Sequence, residues 1–88
     1  GVTVANGAAA RILIVEDNDD IAYLLTDLLS TDYQISRAKT GREGVDAAIT
    51  NGPDLIISDV LMPELNGYDL CRELKHNPVT NHIPILLL

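Results

Sequence analysis

Three acidic side chains stand directly after apolar runs that are typical of buried strands. Glu16 and Asp17 follow ILIV at residues 12–15, and Asp59 follows DLIIS at residues 54–58. If these runs are neighbouring strands of one parallel sheet, the strand spacing of about 4.8 Å brings the carboxylates together. Like charges at that distance need raised pKa values or a nearby cation. A few oxygen ligands favour Mg²⁺, which also binds phosphate oxygens, so the pattern predicts a phosphate-handling site with Asp59 as candidate nucleophile.

The remaining sequence alternates between strand and helix patterns. An apolar face from Ile21 to Leu29 predicts a helix that begins at Asn18 or Asp19, and a capping box at Thr40 predicts the start of a second helix. The predicted elements in chain order are strand 12–15, helix 21–29, strand 33–36, a helix between 40 and 52, strand 54–58, helix 68–76 and strand 83–88. This alternation predicts an α/β fold in which right-handed βαβ units surround a parallel sheet.

Composition narrows the classes of function. Eighty-eight residues make at most one domain, and residues 1–10 are small and patternless, so we interpret them as a linker or a remnant of cloning. A net charge of −7 repels phosphate backbones and anionic lipid, which argues against direct binding of nucleic acid or membrane. No apolar run approaches the roughly 20 residues that a membrane span needs. The single cysteine, Cys71, is interpreted as a buried thiol in a reducing compartment.

The segments ILIVEDN, PDLIISDVLMPELNGYDL and HIPILLL together resemble the receiver domain of two-component response regulators. The resemblance covers residues 11–88, and the joint presence of an acidic pair after the first strand and D-x-x-M-P-x-x-x-G after the third makes it specific. It implies a flavodoxin-like, doubly wound parallel sheet of order 2-1-3-4, lacking the last helix, strand and helix of the family. In such sheets ligands bind beyond the carboxyl ends of the strands.

The resemblance also assigns roles to residues that match the family motif. Asp59 matches the phospho-accepting aspartate, Asp17 the direct ligand of Mg²⁺, and Glu16 the acid that holds the metal through water. The resemblance also makes Asp59 a ligand of the metal, and the backbone carbonyl of Leu61 matches the third protein ligand. Gly67 matches the loop glycine before the third helix, where we expect a left-handed backbone conformation.

The resemblance also implies a cellular location, a phosphoryl donor and a longer parent protein. We expect a cytoplasmic phosphoacceptor, not an enzyme, that receives its phosphoryl group from the phosphohistidine of a histidine kinase or phosphotransfer protein. Family members continue after the fourth strand with a hydroxyl residue, a helix, a strand that ends in lysine and a last helix. We therefore expect a fragment of a longer regulator, such as a hybrid sensor kinase, and self-association through the exposed edge of the fourth strand.

Two other interpretations remain. The same fold could serve only as a docking module, with Asp59 unphosphorylated. Asp17-Asn18-Asp19 also resembles the D-x-D that opens haloacid-dehalogenase-type phosphatases, in which the first Asp is the nucleophile and the second a general acid. That interpretation leaves DVLMPELNG without a role.

Overall fold

The elements of the fold follow the predicted alternation of strand and helix. The computed structural model describes residues 9–88, so most of the predicted linker, residues 1–8, lies outside the described residues. In this range the elements are β1 (Arg11–Val15), α1 (Asp19–Leu29), β2 (Gln34–Ala38), α2 (Gly41–Asn51), β3 (Leu55–Ser58), α3 (Gly67–Lys75) and β4 (Ile85–Leu87). The strands are parallel in the order β2-β1-β3-β4, which confirms the predicted flavodoxin-like arrangement.

The central strand β1 is apolar on both faces because helices cover both sides of the sheet. Leu13 and Val15 point into a core formed with α2 and α3, whereas Ile12 and Ile14 point into a smaller core on the side of α1. All four side chains are at most 2% exposed. This two-sided burial is the reason that the strand is continuously hydrophobic instead of alternating.

Each helix begins at a residue whose side chain caps it. Asn18, Thr40 and Asn66 each accept a hydrogen bond from the backbone N–H three residues further on. The predicted capping box at Thr40 forms with one difference: the Glu43 carboxylate accepts from the backbone N–H of Lys39 instead of that of Thr40. These caps satisfy N–H groups that would otherwise lack partners, and they fix where each loop after a strand ends.

Helix α1 buries less of its apolar face than the sequence pattern predicted. Three residues of its apolar face remain exposed: Ile21 by 45%, Leu24 by 59% and Leu28 by 67%. Leu25 and Leu29 do pack against the smaller core. The helix lies over β1 and β2, so only the residues turned toward those two strands are covered among the described elements.

The last strand is shorter than predicted, whereas the last helix has the predicted length but begins and ends one residue earlier, at Gly67 and Lys75. Strand β4 begins at Ile85 rather than 83, although Ile83 is buried, because Pro84 precedes the ladder and has no N–H to donate. Cys71 was predicted to be buried, and this was wrong: it is only half-buried, because α3 turns its neighbours Leu70 and Leu74 into the core instead. No helix among residues 9–88 is long and apolar enough to cross a membrane.

Candidate functional site

The carboxyl ends of β1 and β3 lie side by side. Val15 is the partner of Ser58 in the parallel ladder, and the backbone N–H of Asp59 donates to the carbonyl of Val15 at 3.0 Å. The residues that follow the two strands therefore emerge together. Glu16, Asp17 and Asp59 each offer a carboxylate oxygen, and these oxygens lie within 4.8 Å of one another. The structure thus brings together the three side chains that the sequence singled out.

Glu16 is the buried member of this acidic cluster. Its side chain is only 4% exposed, and its Oε2 accepts a hydrogen bond from the backbone N–H of Asn18 at 3.0 Å. Burial raises the pKa of the Glu16 carboxyl, the Asn18 hydrogen bond partly opposes this, and the neighbouring carboxylates of Asp17 and Asp59 raise the pKa further. A cation bound among the three groups would offset both their repulsion and the cost of burial.

The other two carboxylates are more accessible. Asp17 is the most accessible of the three and Asp59 is half-buried, so each can reach a ligand from solvent. Their donor set consists of oxygens alone, which suits Mg²⁺ better than a softer metal. The chemistry of the residues present therefore fits a magnesium ion that keeps several waters.

A tight approach of two backbone segments holds the loop after β3 in place. The N–H of Gly67 donates to the carbonyl of Val60 at 2.9 Å, and a Cβ at position 67 would lie 2.5 Å from the carbonyl oxygen of Asp59. The expected left-handed conformation of Gly67 is wrong: the glycine is needed for this close approach. The left-handed residue of the loop is instead Glu64, with φ of 67°. The Leu61 side chain is 83% exposed, and the role of its carbonyl stays a prediction.

Sequence reasoning missed a basic residue that holds the loop after β1. Arg37 of β2 donates to the backbone carbonyl of Glu16 through Nε at 3.0 Å and Nη2 at 2.8 Å. The same Nη2 lies 2.9 Å from Oδ1 of Asp19, to which Lys39 also pairs at 3.3 Å. Arg37 and Glu16 are 21 residues apart, and only the register of β1 against β2 could have shown that they meet.

The position of Asp19 argues against the dehalogenase-type interpretation. Asp19 does not belong to the group of Glu16, Asp17 and Asp59. Hydrogen bonds from Arg37 and then Lys39 lower the pKa of the Asp19 carboxyl, which disfavours the protonated form that a general acid must supply. Asp19 therefore lacks the properties of the second aspartate of a D-x-D phosphatase.

Comparison with known proteins agrees with the arrangement of the site. The family model described as "Response regulator receiver domain" matches residues 12–88. Histidine kinase P4 of Formosa agariphila is 46% identical over 79 residues, which is 90% of this chain and 6% of that protein. This chain therefore spans a small part of the length of that relative.

Solved structures share the fold. The signal receiver domain of a signal transduction histidine kinase from Syntrophus aciditrophicus is 51% identical with a TM-score of 0.85, covering 91% of this chain and 61% of that one. The receiver domain of sensor histidine kinase PA1611 from Pseudomonas aeruginosa is 28% identical with the same TM-score of 0.85, covering 91% and 66%. In the latter structure a magnesium ion is coordinated in the active site cleft.

Proposed function

Because the chain belongs to the response regulator receiver domain family, we propose that Asp59 accepts a phosphoryl group from a phosphohistidine donor, as one step of two-component signalling. The single observation that carries this proposal is the convergence of Glu16, Asp17 and Asp59, with ligand oxygens within 4.8 Å, at the carboxyl end of the sheet. On this proposal the chain acts as a phosphoacceptor within a longer regulator and is not an enzyme by itself.

The transfer needs a nucleophile held in line and a means of offsetting negative charge. A carboxylate oxygen of Asp59 forms the new O–P bond while the N–P bond to the donor imidazole breaks, which leaves an acyl phosphate on Asp59 and a free histidine on the donor. Mg²⁺, when bound, neutralises the phosphoryl oxygens. Asp17 and Asp59 would hold the ion directly and Glu16 through water. The Leu61 carbonyl would complete the protein ligands.

The backbone around Asp59 supports its role as the nucleophile. Its N–H is bonded to Val15 and its carbonyl accepts from the Ser58 hydroxyl at 2.9 Å, so both backbone groups are engaged. The side chain then projects from a fixed point at the end of β3. Such preorganisation reduces the entropy that transfer would otherwise cost.

Phosphorylation of the full-length protein tests the proposal. Treatment with acetyl phosphate and Mg²⁺ should add one phosphate, detected by mass spectrometry of the intact protein. The Asp59→Asn variant should gain none, whereas Asp46→Asn, the same change at an exposed position of α2, should gain one. An unchanged mass of the unaltered protein would favour the docking module without phosphotransfer.

The proposal extends to the protein that contains the domain, to its phosphoryl donor and to its cellular location. The 46% identity to a histidine kinase, together with the likeness to receiver domains of two histidine kinases, supports a place in a hybrid protein that also contains a kinase. The phosphoryl donor would then be that kinase or a phosphotransfer protein. A cytoplasmic location fits a phosphoacceptor whose single cysteine stays reduced.

Self-association through β4 is also proposed for the 88-residue chain. Strand β4 lies at the edge of the sheet, and Leu86 on this strand is 51% exposed. An apolar edge with unpaired backbone groups is a template for a strand of a second copy. Size-exclusion chromatography should show dimers or larger species that Leu86→Lys reduces, and a stable monomer at all concentrations would contradict this.

A further inference from the structure

We infer that Arg37 is a positioning residue that holds segment 16–19 in the shape required to bind a divalent cation, an inference that rests on the proposed metal site. Arg37 belongs to β2 and is the ladder partner of Ile14, two residues before Glu16. Its guanidinium reaches across the end of β1 and donates two hydrogen bonds to one carbonyl oxygen. The Arg37 guanidinium bonds to the Glu16 carbonyl and to Asp19 rather than to the three carboxylates of the acidic cluster, so any effect on the metal acts through the segment.

Hydrogen bonds and an ion pair hold both ends of segment 16–19, which carries two of the proposed metal ligands. At one end the Glu16 N–H donates to the Ala38 carbonyl at 3.1 Å, and the Glu16 carbonyl accepts from Arg37. At the other end Asp19 is paired with the same guanidinium. Asp17 lies between these two fixed points. The planar guanidinium has several N–H donors and can bind the Glu16 carbonyl and Asp19 at the same time, whereas a lysine in its place would offer only a point charge.

Electrostatics and positioning make opposite predictions for Arg37, which makes the inference testable. A guanidinium close to the site repels Mg²⁺, so by charge alone its removal should strengthen binding. If Arg37 positions Glu16 and Asp17, its removal should weaken binding instead. Lys39 provides the matched control because its ammonium group also pairs with Asp19, whereas the Glu16 carbonyl is held by Arg37.

Calorimetric titration of the protein with Mg²⁺ alone distinguishes the electrostatic prediction from the positioning prediction. Arg37→Ala should bind Mg²⁺ about tenfold more weakly, as expected when a group that orients metal ligands is lost. Arg37→Lys should fall between Arg37→Ala and the unaltered protein. Lys39→Ala, which loses an exposed ion pair, should stay within about twofold. Equal or tighter binding by Arg37→Ala would overturn the inference.

Amide hydrogen exchange gives a second measurement that does not depend on the metal. Loss of the Arg37 anchor should speed exchange at Glu16 and Asn18 while leaving Ile14, in the centre of β1, unchanged; a general loss of stability would speed all three. If even the unaltered protein binds no Mg²⁺, the proposed metal site fails. Selective acceleration at Glu16 and Asn18 would then still uphold the positioning role, and its absence would overturn it.

Discussion

The two loops that form the site are held by different physical means. The loop after β1, residues 16–18, is fixed mainly by polar contacts: the Arg37 guanidinium on the Glu16 carbonyl and the Asn18 N–H on the Glu16 carboxylate. The loop after β3, residues 59–66, is fixed mainly by close packing. Gly67 lies against the backbone of Asp59, and the Met62 side chain is buried in the larger core.

This difference determines what each loop responds to. Contacts that involve charge weaken with salt and change with pH, whereas backbone packing responds to side-chain volume. The first loop carries the buried acid and the second carries the proposed nucleophile. The site therefore combines a charge-sensitive loop with a volume-sensitive loop, and substitutions can separate the two.

The largest effect should come from adding a methyl group to the packed loop. A Cβ at position 67 would lie 2.5 Å from the Asp59 carbonyl oxygen and 2.9 Å from Cα of Val60. Gly67→Ala should therefore displace this backbone and lower the free energy of unfolding by about 3 kcal/mol, at the upper end of the range for overpacking. Urea denaturation measures the loss, and phosphorylation of the variant should fall with it.

Gly52→Ala is the control for this substitution. Gly52 ends α2 with φ of 56°, and nothing lies within 4 Å of a Cβ built there. The change should cost about 1 kcal/mol for the left-handed backbone and leave phosphorylation unchanged. If both alanine variants lost phosphorylation equally, the effect at Gly67 would reflect general instability and not the position of Asp59.

These two glycines also show what could be predicted from sequence. Gly52 follows the last residue of α2, so a local rule predicts its left-handed conformation correctly. The role of Gly67 depends on how closely the loop returns to Asp59, which is not a local property. The same holds for Arg37, whose partner depends on strand register. The strand and helix pattern is a local signal, and that prediction is confirmed. The meeting of the three carboxylates followed from the expected adjacency of their strands and is also confirmed, whereas their roles stay predictions.

Removal of a helix cap should lower stability by the same amount at the end of either loop. Asn18 caps α1 at the end of the first loop, and Asn66 caps α3 at the end of the second. Each should cost about 1 kcal/mol of stability when replaced by alanine, because an N–H at the start of the helix loses its partner. Thermal or urea denaturation measures both. A loss confined to one variant would mean that the corresponding helix start is held by other contacts.

The stability of the metal-free protein should depend on pH through the first loop. Burial raises the pKa of Glu16 in the folded protein above the value of 4.5 for an unperturbed glutamate. The folded state then binds more protons than the unfolded state above that pH, so this contribution to stability is present at low pH and is lost as pH rises through the folded pKa. Urea denaturation over a pH series measures the slope.

Glu16→Gln isolates this contribution. At neutral pH and without Mg²⁺ the variant should be more stable than the unaltered protein, because it buries no charge, and the difference should shrink toward pH 4.5. A difference that stayed constant with pH would show that the glutamine acts through packing. The first loop would then resemble the second, and the distinction between them would weaken.

The smallest effect concerns the one left-handed non-glycine residue among residues 9–88. Glu64 has φ of 67° and is exposed, so its backbone carries a cost of about 1–2 kcal/mol that glycine would remove. Glycine also gives the unfolded chain more freedom, which costs about 0.5–1 kcal/mol. Glu64→Gly should therefore stabilise the protein by about 0.5 kcal/mol, and Glu64→Val, with a branched Cβ, should destabilise it. If Glu64→Gly were destabilising instead, the glutamate side chain would be holding the second loop, and both loops would depend on charged side chains.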